Sequence, residues 1–238
     1  MTEWKAKRFW DAVDVVPSER GGYSVLLDGR VVSTPGKLPL VLPTRALAEA
    51  VAAEWRAQEG ELQPLTMPNT RSANSAVERV MPQHAEVCDM LAAYGETDLL
   101  CYRAPGPEAL TRSQAEAWDP LLDWAESRYG ARLVSIAGVL PVDQAPAALA
   151  ALRAEVHRIE AFPLTALHDL ITLTGSLVVG LAVAEGHISV NKGWDLSRID
   201  EQWQISQWGE DDEEQRMADA KRAQLVHAAS FWSLCFAE

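Results

Sequence analysis

The sequence predicts an α+β protein. A small N-terminal β/α domain over residues 1–80 carries a hairpin and a packed helix, and an all-helical domain over residues 81–238 surrounds a buried central helix. Three observations predict this. Tyr23-Ser-Val-Leu-Leu27 and Arg30-Val-Val-Ser-Thr34 flank Asp28-Gly29, a hairpin signal, because a type I′ turn needs positive φ at both central positions. From Thr70 onward the apolar residues recur at helical rather than alternating spacing. Finally, Pro163 to Gly186 is apolar nearly all round, with only Thr165, Asp169, Thr172 and Ser176 forming a thin polar stripe, so as a helix it must be surrounded.

In order along the chain, Val13-Asp-Val-Val16 reads as a short strand and Pro17 to Gly22 as a turn. Tyr23, Val25 and Leu27 alternate onto one face. Leu40-Val-Leu42, between Pro39 and Pro43, reads as an edge strand, since proline cannot donate to a ladder. Thr44 caps a helix expected to run to about Gly60, with Leu47, Val51 and Trp55 on one stripe that packs on the sheet, which makes Trp55 a core residue. Helices follow at Thr70–Val80 and His84–Tyr94. Another spans about Glu108–Tyr129 and is expected to break at Pro120, with Asp119 as a new cap and Gly130 closing it. Residues 133–142 are apolar and read as a strand or a loop. Pro146–Glu160 is helical, and the central helix then runs as one piece to Gly186. Ser189 caps a helix holding Trp194, Leu196, Ile199 and Trp203 and continuing to Trp208. Glu210-Asp-Asp-Glu-Glu214 opens the last helix with carboxylates at its positive end, and Met217, Ala220, Leu225, Ala228, Phe231, Trp232 and Cys235 form its apolar stripe.

Composition narrows the function classes. The chain has 238 residues and a formal net charge of −13, with no basic stripe, which argues against nucleic acid and anionic lipid. The apolar-or-small run from Leu170 to Ala184 is shorter than the roughly 20 residues a bilayer requires, so membrane insertion is not expected. Met1–Trp10 has charge but no apolar core, so it does not read as a secretory signal, and a cytosolic or imported mature protein is expected. The three separated cysteines, Cys88, Cys101 and Cys235, read as buried hydrophobes in a reducing compartment.

The common catalytic motifs are missing: no nucleophile elbow, phosphate loop, dinucleotide fingerprint or His-Glu-x-x-His occurs. His168 and Asp169, adjacent on a helix, are expected to point about 100° apart and so not to form a dyad. Acidic Glu210–Glu214 reads as a solvated helix start rather than a cation site, and no metal or cofactor is expected. The richest region is Asp200–Glu210. Glu201 and Gln204 lie beside Trp194, Trp203 and Trp208, and acid, amide and indole groups together have the composition of a binding face, although an amphipathic helix with inward indoles has the same sequence. The residues thus favour a binding protein, with an acid/base enzyme using Asp169, His168 or Glu201 in an inter-domain cleft as the alternative.

Several motifs in order carry a resemblance. They are Arg8-Phe-Trp10 with Val25-Leu-Leu-Asp-Gly-Arg30 and Thr34-Pro35; Leu42-Pro-Thr-Arg-Ala-Leu47 with Ala53-Glu-Trp55; Met67-Pro68 with Thr70-Arg71 and Asn74; Thr97-Asp-Leu-Leu-Cys-Tyr-Arg103; Trp118-Asp-Pro-Leu-Leu-Asp-Trp124; Leu167-His-Asp169 with Thr172-Leu-Thr-Gly-Ser-Leu177; and Asp200-Glu-Gln-Trp-Gln204 with Gln207-Trp-Gly-Glu210. Spread over nearly the whole chain, they resemble the assembly chaperones for the alpha subunit of the F-type ATP synthase catalytic head, the Atp-twelve family. The resemblance implies a non-enzymatic chaperone that holds the unassembled alpha subunit, and keeps it from aggregating, until the beta subunit replaces it. It implies functional weight at Trp55 and Glu201. The partner-contacting set expected here is Glu201, Trp203, Gln204, Trp208 and Glu210, with Trp55 and Asp169 as structural or functional positions. A monomer is expected, and the lack of an organelle-targeting extension reads as a bacterial, cytoplasmic member, or the mature matrix form of an organellar one.

Overall fold

A computed structural model describes residues 7–138, 140 and 142–237. Residues 1–6, part of the segment read above for a signal, lie outside the described residues, as do Val139 and Pro141 of the apolar stretch 133–142. The chain falls into two compact units. One contains the described residues up to His84, together with Ala161–Ala166 and the residues from Ser230 on; the other contains Ala85–Glu160 and Leu167–Ala229.

The first unit is a small antiparallel sheet with a helix on it. Strand β1 (Val13–Pro17) pairs with β2 (Tyr23–Leu27), in register Val15 opposite Val25. Its other edge takes β3 (Arg30–Val31) and β4 (Val41–Leu42), both antiparallel. The hairpin turn between β2 and β3 has positive φ at both Asp28 (47°) and Gly29 (77°), as the type I′ reading requires. The Asp28 carboxylate also accepts from the backbone N–H of Asp11 and Ala12, tying the turn to the chain entering β1. Helix α1 (Arg45–Arg56) starts at Thr44, whose hydroxyl accepts from Leu47 N–H at 3.1 Å and donates to the Leu234 carbonyl at 2.5 Å. It ends four residues before Gly60. Gln58 leaves the helix axis, its side chain bonding the Glu54 carbonyl, Thr66 and the Gln63 N–H, while Arg8 takes the carbonyls of Arg56 and Gln58. Leu47 and Val51 are buried, and Trp55 packs edge-on against Trp10 with ring centroids 5.1 Å apart at the margin of the same core, which Phe162, Ala166, Phe231 and Cys235 complete.

From Met67 the path is helical but not regular. Helix α2 (Pro68–Ser75) runs into a π turn at Ala76–Val80 and a 3₁₀ turn at Met81–Gln83, then α3 (His84–Ala92), in place of two separate helices. Pro82 has no N–H to give the carbonyl one turn back, so the ladder shifts register there instead of breaking.

In the second unit a two-residue strand, β5 (Tyr102–Arg103), pairs in parallel with β6 (Ile136–Ala137), so this unit carries a small β element among its helices. Helix α4 (Glu108–Tyr129) is unbroken over 22 residues, and the expected break at Pro120 is corrected. Pro120 lies on the exposed side, where the carbonyl it frees can face solvent, while Trp118, Leu121 and Ala125 are buried opposite and hold the helix straight through it. Gly130 closes it at φ 68°. Helix α5 is Pro146–His157.

The single central helix is also corrected. It is two helices, α6 (Ala161–Thr174) and α7 (Leu177–Ala184), separated at Gly175, which takes φ 70°. Ser176 then caps α7 by accepting from Val179 N–H at 3.0 Å. Every residue from Leu177 to Val183 is buried, and a Cβ on Gly180 would lie 2.6 Å from the Ile171 side chain, so only glycine permits that approach of α7 to α6.

The hinge is organised by Asp98, fully buried, whose carboxylate accepts from Ser176 Oγ (2.7 Å), Val178 N–H (3.1 Å) and Leu100 N–H (3.0 Å). Burial raises its pKa, and these donors oppose the rise. The helix expected from Ser189 to Trp208 is likewise two: α8 (Val190–Ser197) and α9 (Ile199–Trp208) meet at Arg198, with φ −119°. The Leu196 carbonyl is drawn aside to accept from Trp118 Nε1 at 2.8 Å. Helix α10 (Asp212–Leu234) starts as expected on carboxylates, Asp211 accepting from Glu213 and Glu214 N–H. Its apolar stripe is corrected at the start: Met217 and Ala220 are exposed and Ala218 is buried, while Leu225, Ala228, Phe231 and Cys235 are buried as read. No helix of the described residues is long and apolar enough to cross a membrane.

Two predictions follow from the packing. Asp98→Ala orphans buried N–H groups at the α6–α7 junction and is expected to cost about 3 kcal/mol, read as a lowered denaturant midpoint at unchanged slope. Trp55→Arg places a charge against the first unit's core and is expected to cost about 3 kcal/mol or more; soluble protein with the parent's midpoint would contradict the packing role of Trp55.

Candidate functional site

Helix α9 is unusual in this chain because none of its ten residues is buried. Two bonds fix it from beneath. Asp200 Oδ1 accepts from Gln114 Nε2 of α4 at 2.6 Å, and Trp118 holds the Leu196 carbonyl just before the helix begins. Trp118 is itself fully buried, with the Arg103 guanidinium over its ring at 5.1 Å, and Arg103 pairs with Asp119 at 2.8 Å. Helix α9 is thus seated on α4 by Asp200 and on Trp118 by the Leu196 carbonyl.

On α9 the expected partner-contacting residues divide. Glu201, Gln204 and Trp208 are three and four residues apart and so share one face of α9. All three are exposed, Trp208 at 80%. Glu210 is exposed just beyond the Gly209 cap. Trp203 is on the other side, half-buried in a groove of about 250 Å³ with Leu110 of α4 and Ile199. Both weighed readings thus apply to different indoles: Trp203 is the inward residue of an amphipathic helix, and Trp208 is the free one. Glu201 is 56% exposed at its side chain and lies 3.8 Å from Arg198 Nε, a loose ion pair that leaves its oxygens free.

The remaining sequence-predicted positions are elsewhere. Trp55 sits at the core margin of the first unit. His168 Nδ1 and Asp169 Oδ1 are 2.9 Å apart, which corrects the expectation that neighbours on a helix cannot meet; the short Asp side chain and the swung ring bridge the angular gap. Both side chains are more than two-fifths exposed, so water screens the pair. All three cysteines are buried and none is in a disulfide. Burial pushes Cys101 and Cys235 up to about 12 and raises Cys88, so none is poised as a nucleophile. Among the described residues no group of three or more His, Cys, Asp or Glu side chains could hold a metal ion.

Several of the motif residues singled out in the sequence tie one element to another. Glu54 accepts from Asn69 N–H (2.6 Å), Thr70 N–H (2.8 Å) and Thr70 Oγ1 (2.7 Å), joining α1 to α2. Asp98 joins the Leu99 turn to Ser176, and Gln114, a residue sequence reasoning passed over, joins α4 to Asp200. Arg198 was passed over as well, since nothing in the string Ser197-Arg-Ile distinguishes it from a solvated arginine. On the outer face of α9 the Gln204 amide and the Trp208 indole are exposed, and Glu201 keeps only its loose pair with Arg198.

Fold and site together describe an α+β chain of chaperone type that presents one exposed, indole-bearing helix. The chain belongs to the ATP12 chaperone protein family, whose model matches residues 7–126. It is similar to the crystal structure of Atp12 from Paracoccus denitrificans (53% identity, TM-score 0.95, 98% of this chain and 100% of that one) and to that of a lysine-for-aspartate mutant of the same protein (52%, 0.95, with equal coverage). A structure of a candidate chaperone from Agrobacterium tumefaciens matches at 39% identity and TM-score 0.90, over 95% of this chain and 85% of that one. The mitochondrial protein atp12 of Schizosaccharomyces pombe is 23% identical over 215 residues, 85% of this chain and 74% of its own length.

If Gln114 seats α9, Gln114→Leu should loosen that helix alone. Faster amide exchange confined to residues 199–208, with global stability lowered by about 1 kcal/mol, is the expected outcome; uniform acceleration across α4 and α7 would contradict it.

Proposed function

We propose that this protein is an assembly chaperone for the catalytic head of the F-type ATP synthase. It binds the unassembled alpha subunit and keeps it from aggregating until the beta subunit takes its place. An unpaired subunit of a ring exposes apolar surface that its neighbour normally covers, and such surface aggregates. A chaperone for it needs a binding face and no chemistry, and it must bind more weakly than the true partner so that assembly removes it. The observation that carries the reading is the outer face of α9, where Glu201, Gln204 and the largely exposed Trp208 are aligned and exposed on a chain of the ATP12 family. An exposed tryptophan beside a carboxylate and an amide is the composition of interface residues that dominate binding energy. The protein acts as a monomer, in the bacterial cytoplasm or the matrix of an organelle, without cofactor or turnover.

The test is to dilute denatured alpha subunit into buffer with and without the protein. Suppressed light scattering at near-equimolar amounts, with a co-eluting complex and no nucleotide, is expected; scattering unchanged and no complex would sink the proposal. Glu201→Lys is expected to leave the unfolding midpoint unchanged, because its side chain is exposed and only loosely paired, and to lower binding of the alpha subunit at least tenfold, about 1.4 kcal/mol. A collapsed midpoint would make Glu201 a structural residue instead.

A further inference from the structure

Arg198 is the anomaly of the second unit. Its side chain is only 14% exposed, and its guanidinium lies over the Trp194 ring at 5.0 Å. Its Nε is buried with no hydrogen-bond partner among the described residues, and Glu201, its ion-pair partner, is at 3.8 Å, beyond hydrogen-bond reach. Arg103, the other arginine held on an indole in this unit, donates to both a carbonyl and a carboxylate at 2.8 Å. A desolvated guanidinium with an unmet donor costs stability unless something supplies the acceptor.

Arg198 lines an open groove of about 330 Å³ between α8–α9 and α10, where the Gln202 and Gln215 side chains also reach the wall. This groove shares Asp195 and Gln202 with the 250 Å³ groove of Leu110 and Trp203, so the two adjoin and form one furrow, polar at one end and mixed at the other, where Leu110, Ile199 and Trp203 supply the apolar wall. Arg198 and Arg222 are balanced by Asp195 and Asp219 at the polar end, and Arg222 is already bonded to Asn191, at 3.0 Å. A furrow of that balance does not attract a polyanion; it suits one carboxylate carried next to an apolar side chain.

We propose that this furrow is a second client-contacting site, which binds an extended peptide segment with an Asp or Glu carboxylate on Arg198 and an adjacent apolar side chain against Leu110 and Trp203. Guanidinium and carboxylate match as planar, two-point partners, so a carboxylate in the groove meets the part of the Arg198 side chain that lines it. The inference rests on the client-holding reading above but uses the furrow beside the outer face of α9, the two meeting at the Arg198–Glu201 pair. It also makes Arg198 a residue kept for a ligand at some expense to stability.

The experiment uses the full chain and fluorescent 12-residue peptides tiled over the alpha subunit. The peptides are acetylated and amidated so that only side-chain carboxylates remain, and each has a partner peptide with Asn or Gln for Asp or Glu. At least one acidic, apolar peptide is expected to bind, with about tenfold or greater loss for its amide partner and for Arg198→Met, and a smaller loss for Arg198→Lys. The unfolding midpoint of Arg198→Met is expected to equal or exceed the parent's. Equal affinity for acid and amide peptides, or a lowered midpoint in Arg198→Met with peptide binding retained in Arg198→Lys at full strength, would overturn the proposal. If the parent binds intact alpha subunit and Arg198→Met binds it as tightly, the furrow is not a client site while the chaperone reading stands. If the parent binds no alpha subunit, the chaperone reading itself falls.

Discussion

The second unit depends on one buried carboxylate. Asp98 has no exposed surface, yet three elements end on it: the turn at Leu99, the Ser176 hydroxyl and the first free N–H groups of α7. A helix terminus leaves N–H groups that must be satisfied, and a helix as apolar as Leu177–Val183 has no solvent to satisfy them. Asp98 and Ser176 do so from inside. That arrangement lets α7 be wholly buried, and α7 in turn provides the surface on which α4 and α8 pack.

The same economy of polar groups runs through the chain and separates architecture from function. Glu54, Asp98, Gln114, Asp119 and Asp200 each occupy acceptors or donors of another element, so each is accounted for by folding. α9 inherits a seat from Asp200 and from Trp118 below it and offers an exposed outer face on which Glu201 makes only a loose ion pair. A bonded seat under an exposed face favours binding, because less conformational freedom remains to be lost when a partner arrives.

Much of this was legible in the sequence, in proportion to how local the physics is. The Asp28-Gly29 turn, the Thr44 cap and the Gly130 stop are decided by a few neighbouring residues and were read correctly. Pro120 was misread because local preference argued for a break, whereas burial of Trp118, Leu121 and Ala125 on the opposite face carried the helix through. The long apolar run was divided by Gly175 and Ser176 on the authority of Asp98, some 78 residues away, which no window of sequence contains. Residues 161–166 and 230–237 pack in the first unit, a return of the chain that composition does not register. At the site, the motif from Asp200 to Glu210 was visible as a cluster, but the sequence could not assign its indoles. Only the angle of α9 against Leu110 turns Trp203 inward and leaves Trp208 outside. Gln114 and Arg198 carried no signal at all, since their roles depend on partners or voids set by other helices.

The central claim is that the outer face of α9 meets the client, and hydroxyl-radical footprinting of the complex tests it most directly. Trp208 is oxidisable and 80% exposed in the free chain, and Met217, 58% exposed on α10, is also oxidisable. The account predicts that refolding alpha subunit in the presence of the protein lowers Trp208 oxidation several-fold while exposed residues of the first unit, such as Leu65 and Phe9, keep their free rates. A complex that forms with Trp208 oxidised as fast as in the free protein would contradict it.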